Sequence, residues 1–566
     1  MNSIYKYLFA VAAAVLMLSC DSYLDREIVS DVNRERVFSD YQQTYRFVNQ
    51  IYGYRIDGYS GRMKLESVAS LNRSLFGPGM LASASDDAKY SDLSSPINFL
   101  ANGNWSAVYN PANIWKDSYA AIRATNLFLE ESHRMVTSRY ELSIRDGNEL
   151  NESGNLITAE ELKNRMTGEV LFLRAYFYYE LLRRYGPTPL IDRTYELDEE
   201  VPSDRPSFDA HLAFILNDLE QAMTLLPNNY NHYASNRGRA TRPMAMAYKA
   251  QALLLAASPY FNPSNDSEKW RKAAEAYKAV IDVNAYQLNP SYDRVFVRNL
   301  NSVESIHEII NSNRNDIERN HTPVGYEGGS GGINPTQELV DAYEMADGSK
   351  FDWSNPDHAS NPFRDRDPRF YLSILYNGAT WRERPVESYV GGRDGQGVNN
   401  ATLTGYYFRK FLDPDVDLLR NQTSTKNHLL LRYAEVLLGY AEAQNEYEGP
   451  DASVYEAVNR IRSRAGMPAL EPGLSQAEMR MKIRNERRVE FAFEGQRFFD
   501  VRRWNIATDV FNSPITGLRI TQNGGGFQYE RIAAENRVFT PNMYLFPIPQ
   551  NEINSTGGSL QQNPGW

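Results

Sequence analysis

Apolar positions recur at helical spacing through most of the chain, and the helices they predict come in pairs. Ala159 to Tyr185 (AEELKNRMTGEVLFLRAYFYYELLRRY) reads as one long helix, stopped by Gly186-Pro187, which cannot continue it. Phe208 to Leu226 follows and stops at Pro227. A second pair is Pro243 to Ser258 with Lys269 to Val283. A third is Leu429 to Tyr447 with Ser453 to Ala465, closed by Gly466 and Pro468. Tyr41 to Tyr54 and Ile114 to Ser132 predict a fourth. Small residues (Ala247, Ala250, Ala441, Ala443) fall where paired helices would approach closely.

The pairing is similar to that of tetratricopeptide helices, although insertions of up to about 150 residues break the 34-residue period. Two insertions, about 53–113 and 321–429, are rich in Gly, Pro, Asn, Ser and aromatics, with runs such as Glu327-Gly-Gly-Ser-Gly-Gly332. Loops this long inside a compact protein are functional or disordered, and their Trp and Tyr content argues against disorder. The fold class expected is mainly α, a tetratricopeptide-like helical-pair scaffold with long irregular aromatic loop insertions.

Composition adds compartment and exclusions. The 566 residues are 42% hydrophobic and 23% charged, an ordinary globular balance. A net charge of −11 argues against a nucleic-acid partner, whose footprint is basic. The single cysteine excludes an intrachain disulfide framework and a cysteine-clustered metal site. Tyr7 to Ser19 is apolar behind Lys6, too short to span a bilayer core of about 30 Å and suited to an export signal. It ends in Leu16-Met17-Leu18-Ser19-Cys20, which resembles the bacterial lipobox. Residues 1–19 are therefore expected to be a lipoprotein signal peptide. Cys20 would be the lipidation site, and 20–566 a single domain anchored by acyl chains.

From this point the chain resembles the SusD/RagB family, the surface glycan-binding lipoproteins of Bacteroidetes-type outer membranes. The phrases that carry the resemblance run almost end to end. They include Cys20-Asp-Ser-Tyr-Leu-Asp25, Leu173-Arg-Ala-Tyr-Phe-Tyr-Tyr-Glu180 leading into Arg184-Tyr-Gly-Pro-Thr-Pro-Leu190, and Leu431-Arg-Tyr-Ala-Glu-Val-Leu-Leu438. The last third adds Ile461-Arg-Ser-Arg-Ala-Gly466, Glu486-Arg-Arg-Val-Glu490, Glu494-Gly-Gln-Arg-Phe-Phe-Asp500, Leu545-Phe-Pro-Ile-Pro549 and Gln562-Asn-Pro-Gly-Trp566. The resemblance implies an extracellular position on the outer membrane, an oligosaccharide ligand, and a SusC-like TonB-dependent transporter as partner. RagB-like peptide capture is the alternative within the same fold, and a surface glycan hydrolase the alternative outside it.

The candidate chemistry favours binding. Glu486, Glu490 and Glu494 repeat at i, i+4, close to a retaining-glycosidase separation, but Arg487, Arg488 and Arg497 interleave and are expected to neutralise them. Gly328-Gly-Ser-Gly-Gly332 matches G-x-S-x-G without the strand–turn–helix context a nucleophile elbow needs, and reads as a flexible loop. His307-Glu308 begins H-E-x-x-H, but position 311 is Asn. Asp413-Pro-Asp415-Val-Asp417 has carboxylates at calcium-loop spacing without the Gly and Glu that complete it, leaving a weak calcium candidate and no other cofactor.

What remains is flat aromatics beside short polar side chains, the mixture that stacks on sugar C–H faces and bonds sugar hydroxyls. The expected ligand-binding residues are Asp86, Asp87, Tyr90, Asn104 and Trp105 in the first insertion, with Phe99 and Asn102 beside them. In the second they are Tyr326, Trp353, Trp381, Arg382 and Tyr389, with Arg393 beside them. Trp115 shares a helical face with Tyr119 and Ile122 and is expected in the core.

Overall fold

The computed structural model describes residues 34–59, 62–63, 80–135, 149–196, 198–300 and 302–566. The expected signal peptide, Cys20 and part of the first insertion lie outside these residues.

The longer helices, numbered here in chain order, are α1 (Tyr41–Tyr52), α2 (Trp115–Glu131), α3 (Ala159–Tyr185), α4 (Phe208–Leu225), α5 (Arg242–Ala257), α6 (Ser267–Val283), α7 (Tyr433–Glu448), α8 (Ala452–Arg464), α9 (Gln476–Glu490) and α10 (Gln496–Arg503). Local chemistry sets their ends. Thr158 and Glu161 form a reciprocal capping box at the start of α3, Ser475 and Glu478 do the same for α9, and Pro243 sits in the first turn of α5. From α2 to α7 each helix packs on its successor, and α7 then carries both α8 and α9. With α2 on one side and α4 on the other, α3 is buried almost all round from Gly168 to Leu182. That explains its nearly continuous apolar and aromatic sequence.

The expected pairs α3–α4, α5–α6 and α7–α8 form. The fourth does not form as a pair: α2 packs mainly on α3, and α1 rests on both. A second correction concerns Leu429 to Leu431. They belong to a strand (His428–Arg432) antiparallel to Ser305–Ile309, and α7 begins only at Tyr433. Small residues do sit at helix contacts. Ala247, Ala250, Ala441 and Ala443 are fully buried, and a Cβ added at Gly439 would lie 2.7 Å from the Tyr277 hydroxyl.

The two insertions are joined. Ala88–Tyr90 pairs antiparallel with Ile333–Pro335, in the register Ala88↔Pro335, Lys89↔Asn334 and Tyr90↔Ile333. The glycine run leading into the second strand is not loose. Gly329 donates to Tyr326 O, Gly331 to Thr322 O and Gly332 to Asn320 O, and a Cβ at Gly332 would meet the Tyr90 ring. The flexible loop expected there is a bonded turn.

A hairpin closes this region, β1 (Ile515–Asn523) and β2 (Gly526–Glu535), turning at Gly524-Gly525 with both φ positive. The turn fits the two-residue type I′ geometry that matches strand twist. Leu518 N donates to Thr404 O and Val390 N to Ile520 O, so β1 is stitched to the second insertion while β2 faces solvent. The C-terminus locks the other end. Trp566 Nε1 donates to Asn542 O and Leu545 O, and Asn563 Nδ2 donates to Tyr185 O and Phe546 O.

Candidate functional site

The charged ladder on α9 is structural. Glu490 is fully buried; its Oε1 accepts from Arg432 Nη1 (2.7 Å) and from Arg464, and its Oε2 from Arg369 Nη1 (3.0 Å). Glu486 pairs with Arg369 (2.6 Å) and Arg462 (3.1 Å). Glu494, one turn past the helix end, pairs with Arg432 and Lys410, both at 2.7 Å. Burial alone would raise the Glu490 and Glu494 carboxyls, but for Glu490 Arg464, Arg432 and Arg369 outweigh it, and for Glu494 Arg432 and Lys410 do. Both are held below the ordinary range, so neither carries a proton to donate near neutrality.

The neutralising partners are not the interleaved arginines expected from the sequence. Those reach elsewhere: Arg487 to Asp500 (3.0 Å), Arg488 to Asp87 (2.9 Å) and Arg497 to Asp86 (2.8 Å). An i, i+4 neighbour on the same helix competes with partners presented by other elements, and here the other elements win.

That arrangement corrects six of the expected ligand residues. Asp86 and Asp87 are buried ion-pair partners that tie the first insertion to α9 and α10. Burial pushes Asp87 up, whereas at Asp86 the two arginines outweigh burial and hold the carboxyl down. Tyr90 is buried in the short sheet with its ring 6.4 Å from that of His321. Trp105, 5% exposed, packs on Phe546 and Trp566 at 5.2 and 4.7 Å. Trp381 is 2% exposed, with Arg409 at 5.7 Å from its ring centroid. Tyr326 is covered by the Arg384 guanidinium, 3.7 Å from its ring, and donates to Arg384 O. The physical reason is common to all six. A long irregular loop has no core of its own, and it spends its large side chains on fastening itself to the scaffold.

The calcium-spaced aspartates are likewise committed. Arg298 bonds Asp413 at 2.8 Å and also reaches Asp415, and Arg420 lies 3.5 Å from Asp417. Among the described residues no cluster of three His, Cys, Asp or Glu is arranged to hold a metal ion.

Four expected residues retain exposed surface. Asn104 is exposed and its N–H donates to Phe99 O. Trp353 is half-buried and donates from Nε1 to Asp341 (3.0 Å). Arg382, with φ of 53°, donates to Val416 O. Tyr389 is half-buried against Phe527, ring centroids 5.4 Å apart. Phe99 is 38% exposed and meets Tyr109, 47% exposed, at 5.9 Å in an edge-on pair. Tyr109 and Phe527 were missed by sequence reasoning. For Phe527 a signal existed: period-two alternation around Asn523-Gly524-Gly525 is a hairpin pattern. For Tyr109 there was none.

The candidate surface thus comprises two partly exposed aromatic pairs, Phe99–Tyr109 within the first insertion and Tyr389–Phe527 where the second insertion meets the β1–β2 hairpin. Exposed ring faces beside amides and hydroxyls accept flat, partly apolar ligands by stacking. The scaffold cavity between α3, α5 and the start of α10, about 80 Å³, is small by comparison with a ligand pocket.

Comparison with known proteins places this architecture. Residues 295–566 match the SusD family, and residues 79–254 match a family described as starch-binding associating with outer membrane. A SusD-like protein of Formosa agariphila is 27% identical over 442 residues, 75% of this chain and 78% of that relative. A SusD-like protein structure from Bacteroides fragilis is 27% identical with a TM-score of 0.74, covering 94% of this chain and 98% of that one. A second structure from that organism, described as a SusD-like carbohydrate-binding protein, is 25% identical with a TM-score of 0.74, covering 92% and 98%. A laminarin-binding SusD-like protein shares the fold at 21% identity and a TM-score of 0.64, covering 94% and 100%. No described helix is long and apolar enough to cross a membrane. With both halves matched by models of one kind and the helical fold shared along nearly its whole length, the chain belongs to the SusD/RagB family.

Proposed function

We propose that this protein is a non-catalytic, lipid-anchored surface protein that captures oligosaccharides and delivers them to a SusC-like TonB-dependent outer-membrane transporter. The observation that carries the reading is the two partly exposed aromatic pairs on the loop insertions, on a fold whose relatives include proteins described as carbohydrate-binding and laminarin-binding. Phe99 and Tyr109 supply one stacking platform, with Asn102 and Asn104 beside them as hydrogen-bonding groups. Tyr389 and Phe527 supply a second, near Arg393. Cys20 supplies the anchor, and the glycan reaches these platforms from solvent.

The test is a glycan array with the chain truncated before residue 21, followed by titration of the best ligand against Phe99→Ala and Tyr109→Ala. Either change is expected to weaken binding by about tenfold or more, the loss of one stacking contact of ~1–3 kcal/mol, with no more than about 1 kcal/mol lost in stability. Peptide binding with an empty glycan panel would move the assignment to RagB-like capture. New reducing ends after prolonged incubation would revive the hydrolase.

A further inference from the structure

Charge is handled differently at the two aromatic platforms, with the same result. From Leu93 to Trp115, the stretch that carries Phe99 and Tyr109, the chain has no Asp, Glu, Lys, Arg or His, although 23% of all its residues are charged. The polar side chains of that stretch are Ser and Asn with the Tyr109 hydroxyl, and Asn104 is exposed among them. Amides and hydroxyls both donate and accept hydrogen bonds without carrying charge.

The second platform does carry charges, and each is occupied. In the turn that holds Tyr389, Arg393 bonds Glu387 through Nε (3.1 Å) and Nη2 (3.0 Å), and Arg384 holds Asp394 at 2.7 Å. In the hairpin that holds Phe527, Arg519 pairs with Glu530 at 3.1 Å. Arg531 lies 3.2 Å from Glu338 and 3.4 Å from Asp341, and Glu535 pairs with Lys89 at 2.7 Å. These are all the charged residues of 387–394 and of β1 and β2. Arg382, in the short Thr380–Pro385 hairpin, is turned instead to Val416 O.

Exposed pairs of this kind add little stability, so their consequence is for recognition rather than for folding. An anionic group can bond Arg393, Arg519 or Arg531 only by displacing the carboxylate already there. It exchanges one ion pair for an equivalent one and leaves the released carboxylate beside it. The net charge of −11 adds repulsion at longer range. A sugar ring that offers only hydroxyls and a C–H face meets neither obstacle.

We propose that the two platforms select uncharged oligosaccharides and reject those carrying uronate or sulfate groups. The proposal rests on the reading of these platforms as a glycan-capture surface, and adds the substrate class to it.

The test is titration of the truncated chain with neutral oligomers of glucose, galactose, mannose and xylose, and with oligogalacturonate, oligoalginate and a sulfated galactan of similar length. At least one neutral oligomer is expected to bind about tenfold or more tighter than any acidic one. Its affinity should move less than about twofold between about 0.05 and 0.5 M salt, because screening finds no ion pair with the ligand to weaken. Glu387→Gln frees Arg393 at an exposed position and is expected to raise affinity for oligogalacturonate about threefold or more, leaving neutral binding unchanged. An acidic oligomer bound as tightly as the best neutral one, or an affinity that falls steeply with salt, overturns the substrate class and leaves glycan capture standing. Acidic binding abolished by Arg382→Gln would do the same and would name that arginine as the free cation. A Glu387→Gln variant that still ignores acidic oligomers would show that pairing is not what excludes them, and overturns the proposal as well. A panel with no binder of either kind overturns the capture reading and this substrate class together.

Discussion

Trp105 and Trp381 are held by packing, and Phe99 and Tyr109 are held by little beyond each other and their own loop. The first two rings fill space between insertion and scaffold: Trp105 closes a cluster with Phe546 and Trp566, and Trp381 is covered on all sides. Truncating either leaves a cavity the loop cannot close. Trp105→Ala and Trp381→Ala are each expected to cost about 3–5 kcal/mol in urea or guanidinium unfolding. Phe99→Ala and Tyr109→Ala are expected to cost under about 1 kcal/mol. A variant at Trp105 or Trp381 that lost binding but kept full stability would return that ring to the site. At this scale residue type was legible and role was not. Trp115 was readable as core because Tyr119 and Ile122, four and seven residues on, share its helical face, whereas a Trp in an aperiodic loop has no local pattern to say which way it points.

Among elements, the close approach of α6 and α7 is the sharpest constraint. Gly439 faces the fully buried Tyr277 ring, and an added Cβ would lie 2.7–2.8 Å from its hydroxyl and Cε2. Tyr277 lies on α6, which packs on both α5 and α7, so moving its ring displaces buried neighbours. Gly439→Ala improves local helix propensity by about 1 kcal/mol yet is expected to destabilise by about 1–3 kcal/mol net, because overpacking dominates. Denaturant midpoints for the variant and the parent check the sign; a stabilised variant would mean the two helices separate easily. The helix pairs themselves were legible from periodicity and stop signals. The strand at His428–Arg432 was not, since a short apolar run before a helix has the same composition in either state, and only its partner Ser305–Ile309 decides.

Across the whole molecule, one carboxyl joins three parts of the scaffold. Glu435 on α7 accepts from Gln251 Nε2 on α5 (2.7 Å) and Gln496 Nε2 on α10 (3.0 Å), both neutral donors. Burial pushes its pKa up to about 7, with Asp500 adding to the rise and Arg487 and Arg183 opposing it. Tyr277, Tyr179, Arg503 and Glu494 complete the titratable surroundings. A carboxyl whose folded pKa is raised binds its proton more tightly folded than unfolded. Its stabilisation is full below about 4.5 and is lost as pH rises through about 7. In Glu435→Gln either neighbouring glutamine can turn its amide to match. The variant's stability relative to the parent is therefore expected to rise by on the order of 3 kcal/mol between pH 4.5 and pH 8. Unfolding free energies of both proteins at several pH values check this, and a difference that stays flat would show that Glu435 is ionised throughout.

The sequence by itself determined the helical scaffold, because periodicity, caps and Gly-Pro stops act within a few residues of each other. It also carried the family, because the phrases that mark it are the scaffold's internal fastenings. Arg432, Arg462, Arg464, Glu486, Glu490 and Glu494 form one buried network through Arg369, which bridges Glu486 and Glu490, and Leu545 to Pro549 and Gln562 to Trp566 close against Tyr185 and Trp105. Tertiary structure alone decided which loop residues face solvent. Burial in an aperiodic loop depends on partners hundreds of residues away: Asp86 is claimed by Arg497, Tyr90 lies beside Gly332, and Trp105 packs on Trp566. Contacts over such separations follow from how the whole chain closes, and no local pattern encodes them.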